Sequence, residues 1–368
     1  MPAVLNTNSK IPVSIQLPII LIGIIAFVFI LYVGKSIIVP LVFSTIIAIV
    51  LHPVVNMFVR IRINRILAIV ITLFLTFVVI AGLGILIYSQ ANRFTESLPK
   101  LVDRFTEIIN QTMVWISGHF NLSNKEITAW ITETKNELIG SLEIGKTISN
   151  ISSVLVFLFL IPVYIFMLLY YQSLLIEFLH RLFGKDHRSK VSTVINLTKT
   201  LIQHYLVGLL IQVAIIATLY SVGLLMLGIE YAIILGVMGA FLNLIPYIGS
   251  IFAALMPMVI AVVTKTSPWF ALLVLALYLI TQFIDNNFIT PKIVGSKVKL
   301  NALASIVAVI GFAALWGIQG MIIAIPLTAI AKLIFDHITP LKPWGFLLGD
   351  TLPSVSIIDP LLKKLIRK

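Results

Sequence analysis

Two stretches of this chain, 231–264 and 302–335, each run for 34 residues with no charged side chain except Lys332. A straight helix of that length would be about 51 Å long, against a bilayer hydrocarbon core of about 30 Å. Shorter apolar runs cover 15–34, 36–59, 66–90, 148–176, 205–228 and 268–290. The runs are continuous rather than alternating, and in lipid only helices or closed barrels satisfy their own backbone. The pattern therefore predicts an all-α polytopic membrane protein with about eight apolar helical segments. Charged residues make up only 11% of the chain, against about 25% in an average soluble domain. That is too few to cover a globular surface, which excludes a soluble enzyme, a disordered protein and a coiled coil.

The two long runs are interrupted midway, the first by Asn243, Pro246 and Gly249, the second by Gly317, Gly320 and Pro326. Proline removes a ladder donor and glycine weakens a helix. Both segments are expected to be broken or re-entrant helical hairpins and a possible weak internal repeat. If both return to their starting side, Lys292, Lys297 and Lys299 share a side with the other basic loops; if both cross, they do not.

Net charge is +12. In a soluble chain that excess would suggest nucleic acid. Here it sits in short loops, where Lys and Arg set orientation. Arg60, Arg62 and Arg65, the cluster from Arg181 to Lys199, and the tail from Lys363 to Lys368 fall on one side if both termini are cytoplasmic. The segment 91–147 is then external. The first run, from Ile15, is too long for a cleavable signal and lacks a small-x-small site.

Residues 91–147 differ in composition, with six Lys/Arg and seven Asp/Glu in 57 positions. Phe94, Leu98, Leu101, Phe105, Ile108 and Ile116 recur at helical spacing and predict an amphipathic helix over 94–117, broken at Gly118. Ser123 and Glu126 form a capping box for a second amphipathic helix reaching about Ile139. The expected organisation is N-terminal spans over 1–90, this extramembrane segment over 91–147, a transport core over 148–335 and a basic tail over 336–368.

Few residues could carry chemistry. Gly140 to Thr147 fits the phosphate-loop pattern, but a polar helix precedes it where a buried strand is required, so it reads as an interfacial turn. The six histidines show no paired spacing, so no metal site is expected, and there is no cysteine. No cofactor is called for. Asp285 stands apart. It follows 19 uncharged residues in Gln282-Phe-Ile-Asp285-Asn286-Asn287, and an intramembrane carboxylate is a functional candidate. The competing reading is a cap at the headgroup end of its helix. Asn243 beside a broken helix, Gln282, Asn286 and Gln212 are the candidate companions, because discontinuous helices build solute and ion sites in transporters. Gln203 and Gln212 could equally be packing glue between helices.

Leu242 to Ser250, Asp285 to Gly295 and Val298 to Asn301, with Gly311 and the run from Gly317 through Gly320 to Pro326, resemble the C-terminal signature of the autoinducer-2 exporter family of bacterial permeases. The stretch around Pro40, Pro53 and Arg60 to Ala68 is similar more weakly. The resemblance implies a multi-pass inner-membrane protein that exports autoinducer-2, or a sodium or lithium/proton antiporter, as some members are described. It is consistent with a ring-like homo-oligomer. With no ATPase site, the expectation is a secondary transporter of a small polar solute driven by a gradient. A cation/proton antiporter using Asp285 and a non-transporting membrane scaffold are the alternatives.

Overall fold

The computed structural model describes residues 13–120, 148–245, 248–265, 267–295 and 299–350. The expected second amphipathic helix, the phosphate-loop look-alike, Pro246 and the part of the basic tail beyond residue 350 lie outside these residues. The described residues fold as α1 (Val13–Val33), α2 (Lys35–Arg60), α3 (Arg65–Phe120), α4 (Ile148–Tyr170), α5 (Gln172–Phe183) and α6 (Arg188–Met226). They continue as α7 (Ala232–Leu242), α8 (Ile248–Thr264), α9 (Trp269–Ile284), a π-helical segment (Asp285–Gly295), α10 (Ala302–His337) and α11 (Lys342–Leu348). Five of the described helices are long and apolar enough to cross a membrane, or six if the pair α4–α5 counts as one span bent by 65°. The all-α polytopic architecture is as the hydropathy pattern predicts, with the count of eight approximate.

Three boundaries differ from the sequence pattern. α3 does not stop near residue 90 but runs unbroken to Phe120. The apolar run 148–176 bends at Tyr171 into the amphipathic α5. α6 begins at Arg188 rather than near residue 205, so Arg188, Lys190 and Lys199 lie on a helix instead of in a loop. For α3 and α6 the hydropathy profile marks where a helix leaves lipid, not where its hydrogen-bond ladder ends, while at Tyr171 the bend falls inside the apolar run.

α6 is the central post. At its C-terminal end the chain turns into the first hairpin, α7 and α8. A Cβ placed on Gly239 would lie 3.5 Å from that of Ala253, and one on Gly228 would lie 3.1 Å from Lys265 Nζ. Residues equally far from the break are thus neighbours, so the segment folds back on itself and its two ends meet. α10 does the same from the other end of α6. Its ladder breaks at Gly317, with φ 64° and ψ −144°, a conformation that only glycine adopts without strain. Leu300 bridges to Gly349, and a Cβ on Gly349 would lie 3.4 Å from Lys332 Cε. Both ends of this second hairpin therefore sit beside α11. Its return limb, through Ile330 and Ile334, faces the same cavity as Lys190 and Val194 near the start of α6. The hairpins thus enter from opposite ends of the post, each returning to its own side. Gly320 and Pro326 lie in the helical return limb of the second, both buried.

Polar side chains pin the packing. Arg65 Nη2 donates to the Leu169 carbonyl at the end of α4 (2.8 Å), where the helix leaves carbonyls unsatisfied. Ser44 Oγ donates to Ile161 O (3.2 Å) across α2 and α4. Asn301 caps α10 by accepting from Ala304 N (2.7 Å), while its amide donates to Leu347 O and Gly349 O (2.7 and 2.9 Å). The exposed apolar faces of α1 and α3, with Phe27, Phe29, Phe74 and Phe77 all outward, suit contact with lipid.

Candidate functional site

The site forms where the first hairpin's tip meets α6 and the junction between α9 and the π-helical segment. α9 carries Tyr278, Gln282 and Asp285 at intervals of four and three residues, so all three lie along one helical face. At Asp285 the helix widens to hydrogen bonds five residues apart, a geometry that tends to occur at functional sites. The wider turn stacks Thr290 over Asp285, and Thr290 Oγ1 donates to Asp285 Oδ1 at 3.0 Å. In an α-helix the residue five positions on faces elsewhere.

α6 approaches from the side. Gly208 lets it come close, since a Cβ there would lie 2.7 Å from the Ile293 carbonyl oxygen. One turn further along the same face, Gln212 Nε2 donates to both carboxylate oxygens of Asp285 (2.9 Å each) and contacts Thr290 Oγ1 (3.0 Å). The break after α7 brings the fourth donor contact: Asn243 Nδ2 donates to Asp285 Oδ2 at 3.0 Å. That break is tight, because a Cβ on Gly249 would collide with the Leu242 carbonyl oxygen.

Asp285 is only 1% exposed. No ion pair to it occurs among the described residues. A carboxylate in a low-dielectric setting is costly unless it is hydrogen-bonded and its charge is balanced. Here the hydrogen bonds are supplied and the balancing charge is not. Two further polar atoms nearby on the α9 face are buried without a partner among the described residues, Tyr278 Oη and Gln282 Oε1. Tyr278 stacks on Tyr220 of α6, with ring centroids 4.0 Å apart. Such orphaned atoms are unusual in a packed interior.

Of the sequence candidates, Asp285, Asn243 and Gln212 converge. Gln282 and Asn286 do not join the carboxylate; their side chains bond each other (3.3 Å), and Asn286 is exposed. Gln203 donates instead to Ile49 O (2.8 Å), between α6 and α2. Thr290 and Tyr278 were not anticipated. Tyr278 was accessible as the residue two helical turns before Asp285. Thr290 had no signal, because nothing in the local pattern announces a five-residue turn.

The chain matches the family described as "AI-2E family transporter" over residues 20–339. It is 28% identical to the "AI-2 transport protein TqsA" of Escherichia coli (strain K12) over 322 residues, which cover 86% of this chain and 90% of that protein. It is 27% identical to the "Putative transport protein YrrI" of Bacillus subtilis (strain 168) over 318 residues, 82% of this chain and 87% of the relative. With a helical fold built around a broken-helix tip and a match that spans most of its length, the chain belongs to the AI-2E transporter family.

Proposed function

We propose that this protein is a secondary transporter of a small polar solute and that Asp285 is the group through which solute movement is coupled to protons or cations. The observation that carries the reading is the Asn243–Asp285 bond. It ties the tip of a re-entrant hairpin to a buried carboxylate with no balancing charge among the described residues. Oδ2 accepts from both Asn243 and Gln212. A solute hydroxyl, a cation or a proton that occupies Oδ2 competes with Asn243. A proton converts the oxygen from acceptor to donor, and the tip loses its hold. Loss of that hold frees one hairpin to move against α6, as alternating access requires.

Tyr278 Oη and Gln282 Oε1 suit a guest that offers both an acceptor and a hydroxyl. Autoinducer-2, the solute in the name of the Escherichia coli relative, is a furanosyl compound of that kind and is the first substrate to test, moving outward. The missing countercharge also favours a second reading, exchange of sodium or lithium for a proton at the same carboxylate.

Flux of autoinducer-2, sodium and lithium is to be measured in proteoliposomes from pH 5 to 9. Asp285→Asn keeps the shape but cannot exchange a proton, so transport should become insensitive to pH. An unchanged pH profile would return Asp285 to a structural role and overturn the coupling.

A further inference from the structure

About 20 Å along α6 from Gln212, by helical rise, a second feature stands apart from that site. A cavity of about 720 Å³ opens between α2, α5, α6 and α10, within the usual size of ligand pockets. Its walls are aliphatic, with Ile49, Leu175, Val194, Ile195, Ile330 and Ile334 among them. Its ionisable lining is of one kind: Lys190, Lys199, His52, His187 and His337, with no Asp or Glu among the described residues. Of the carboxylates close by in sequence, Asp186 is exposed and outside the lining, and the other two are already engaged. Glu177 of α5 accepts from Arg181 (3.1 Å) and Arg188 (3.2 Å), and Asp336 accepts from Lys332 (2.6 Å).

The cavity also lies at a recognisable depth. α5 bends by 65° away from α4 and exposes Leu174, Phe178 and Leu182 at four-residue spacing. The same helix carries Glu177, His180 and Arg181. A helix with an apolar stripe beside a charged one, turned out of the spanning direction, lies in the interface with its apolar face among acyl chains. A polar solute passing through would leave these aliphatic walls without complement. A free anion would use the cations and leave the hollow empty. A molecule with an apolar tail and an anionic head satisfies both, and basic pockets between membrane helices bind anionic headgroups for that reason.

We propose that this cavity binds an anionic phospholipid from the surrounding bilayer. An acyl chain runs along Val194, Ile330 and Ile334, the phosphate sits on Lys190, and Lys199 supplies further positive potential from the inner wall. The bound lipid fills the space between α5, α6 and the return limb of the second hairpin.

The test uses the purified, delipidated full-length protein, titrated with phosphatidylglycerol, phosphatidylcholine or glycerol phosphate alone. Binding is read by native mass spectrometry and by the thermal midpoint. Phosphatidylglycerol should bind tighter than phosphatidylcholine by about an order of magnitude, as two lysines near a headgroup imply. Lys190→Gln with Lys199→Gln should abolish the preference, and Lys190→Arg with Lys199→Arg should restore it. Val194→Trp, which fills the hollow and leaves both lysines in place, should weaken phosphatidylglycerol binding as well. Equal binding of phosphatidylcholine would overturn the proposal by making the hollow a site for any acyl chain. An equal shift by glycerol phosphate would reduce it to an anion site. A preference that survives the double glutamine variant would place the lipid elsewhere.

Discussion

The two re-entrant hairpins share a plan and differ at their tips. The first leaves the helix at Asn243, in a turn that continues through Leu244 and Ile245, and presents an amide to a buried carboxylate. The second breaks at the single residue Gly317. Next to that break, Trp316 Nε1 donates to the Leu31 carbonyl near the end of α1 (3.0 Å). Its base is held as well, by the three Asn301 bonds. One hairpin is thus fixed at both ends to backbone groups, which no change of pH or ion can withdraw. The other is fixed at its tip to an ionisable group. On the proposed coupling, the first hairpin would be the releasable one and the second a static wall, because their tips touch different chemistry.

The comparison can be broken outright by sidedness, an all-or-none effect. The chain contains no cysteine, so single cysteines report cleanly. Glu230→Cys and Lys265→Cys should react with an impermeant maleimide from one face of the membrane, Lys299→Cys and Asp350→Cys only from the other. If residues 230 and 265 label from opposite faces, the first segment crosses the bilayer and the contrast fails.

Next in size is the polar tip. Asn243→Ala removes one donor to a buried carboxylate, a contact of roughly 1.5–3 kcal/mol when the acceptor is charged. Transport should fall at least about tenfold while the protein still inserts. Trp316→Phe at the other tip should leave flux within about twofold, because a neutral hydrogen bond contributes only about 1 kcal/mol. Equal losses in both variants would mean that both tips move.

The glycines sharpen the distinction further. Gly249→Ala places a methyl against the Leu242 carbonyl and should destabilise the purified protein by several kcal/mol, as overpacking and backbone displacement combine. Gly317→Ala meets nothing within 4 Å and carries only the cost of a backbone conformation that is nearly exclusive to glycine, about 1–3 kcal/mol. Thermal midpoints of the two variants should rank in that order. A reversed rank would mean that the second break, not the first, is the crowded one.

Hydropathy made the membrane architecture legible, and the positions of Asn243 and Gly317 made both breaks legible. Their return to the starting side was one of two expectations, and the meetings of Gly228 with Lys265 and of Leu300 with Gly349 select it. Asp285 was visible because a lone carboxylate after a long uncharged run has few readings, and Gln212 and Asn243 were visible as polar residues inside apolar helices. Thr290 was not, since the π-helical turn that aligns it with Asp285 is set by packing against α6 rather than by local propensity. Gln282 and Asn286 were singled out by their place in the sequence rather than by a contact with the carboxylate. They neighbour Asp285 in sequence, yet on this helix they bond to each other one turn apart. The course of α3 and the start of α6 were missed because charged residues continue a helix as readily as apolar ones once it leaves the lipid.

The unbroken α3 has a mechanical meaning. Its apolar run ends near residue 90, yet the helix continues to Phe120, so a stretch of about 45 Å extends past the portion suited to the bilayer. A rod of that length is a lever. A rocking of the membrane portion by about 5° sweeps the far end through roughly 4 Å, by the helical rise alone. Displacements too small to resolve within the bilayer would be enlarged there to a size that a pair of spin labels or fluorophores can follow. The end of this arm is therefore where motion of the bundle should be easiest to see.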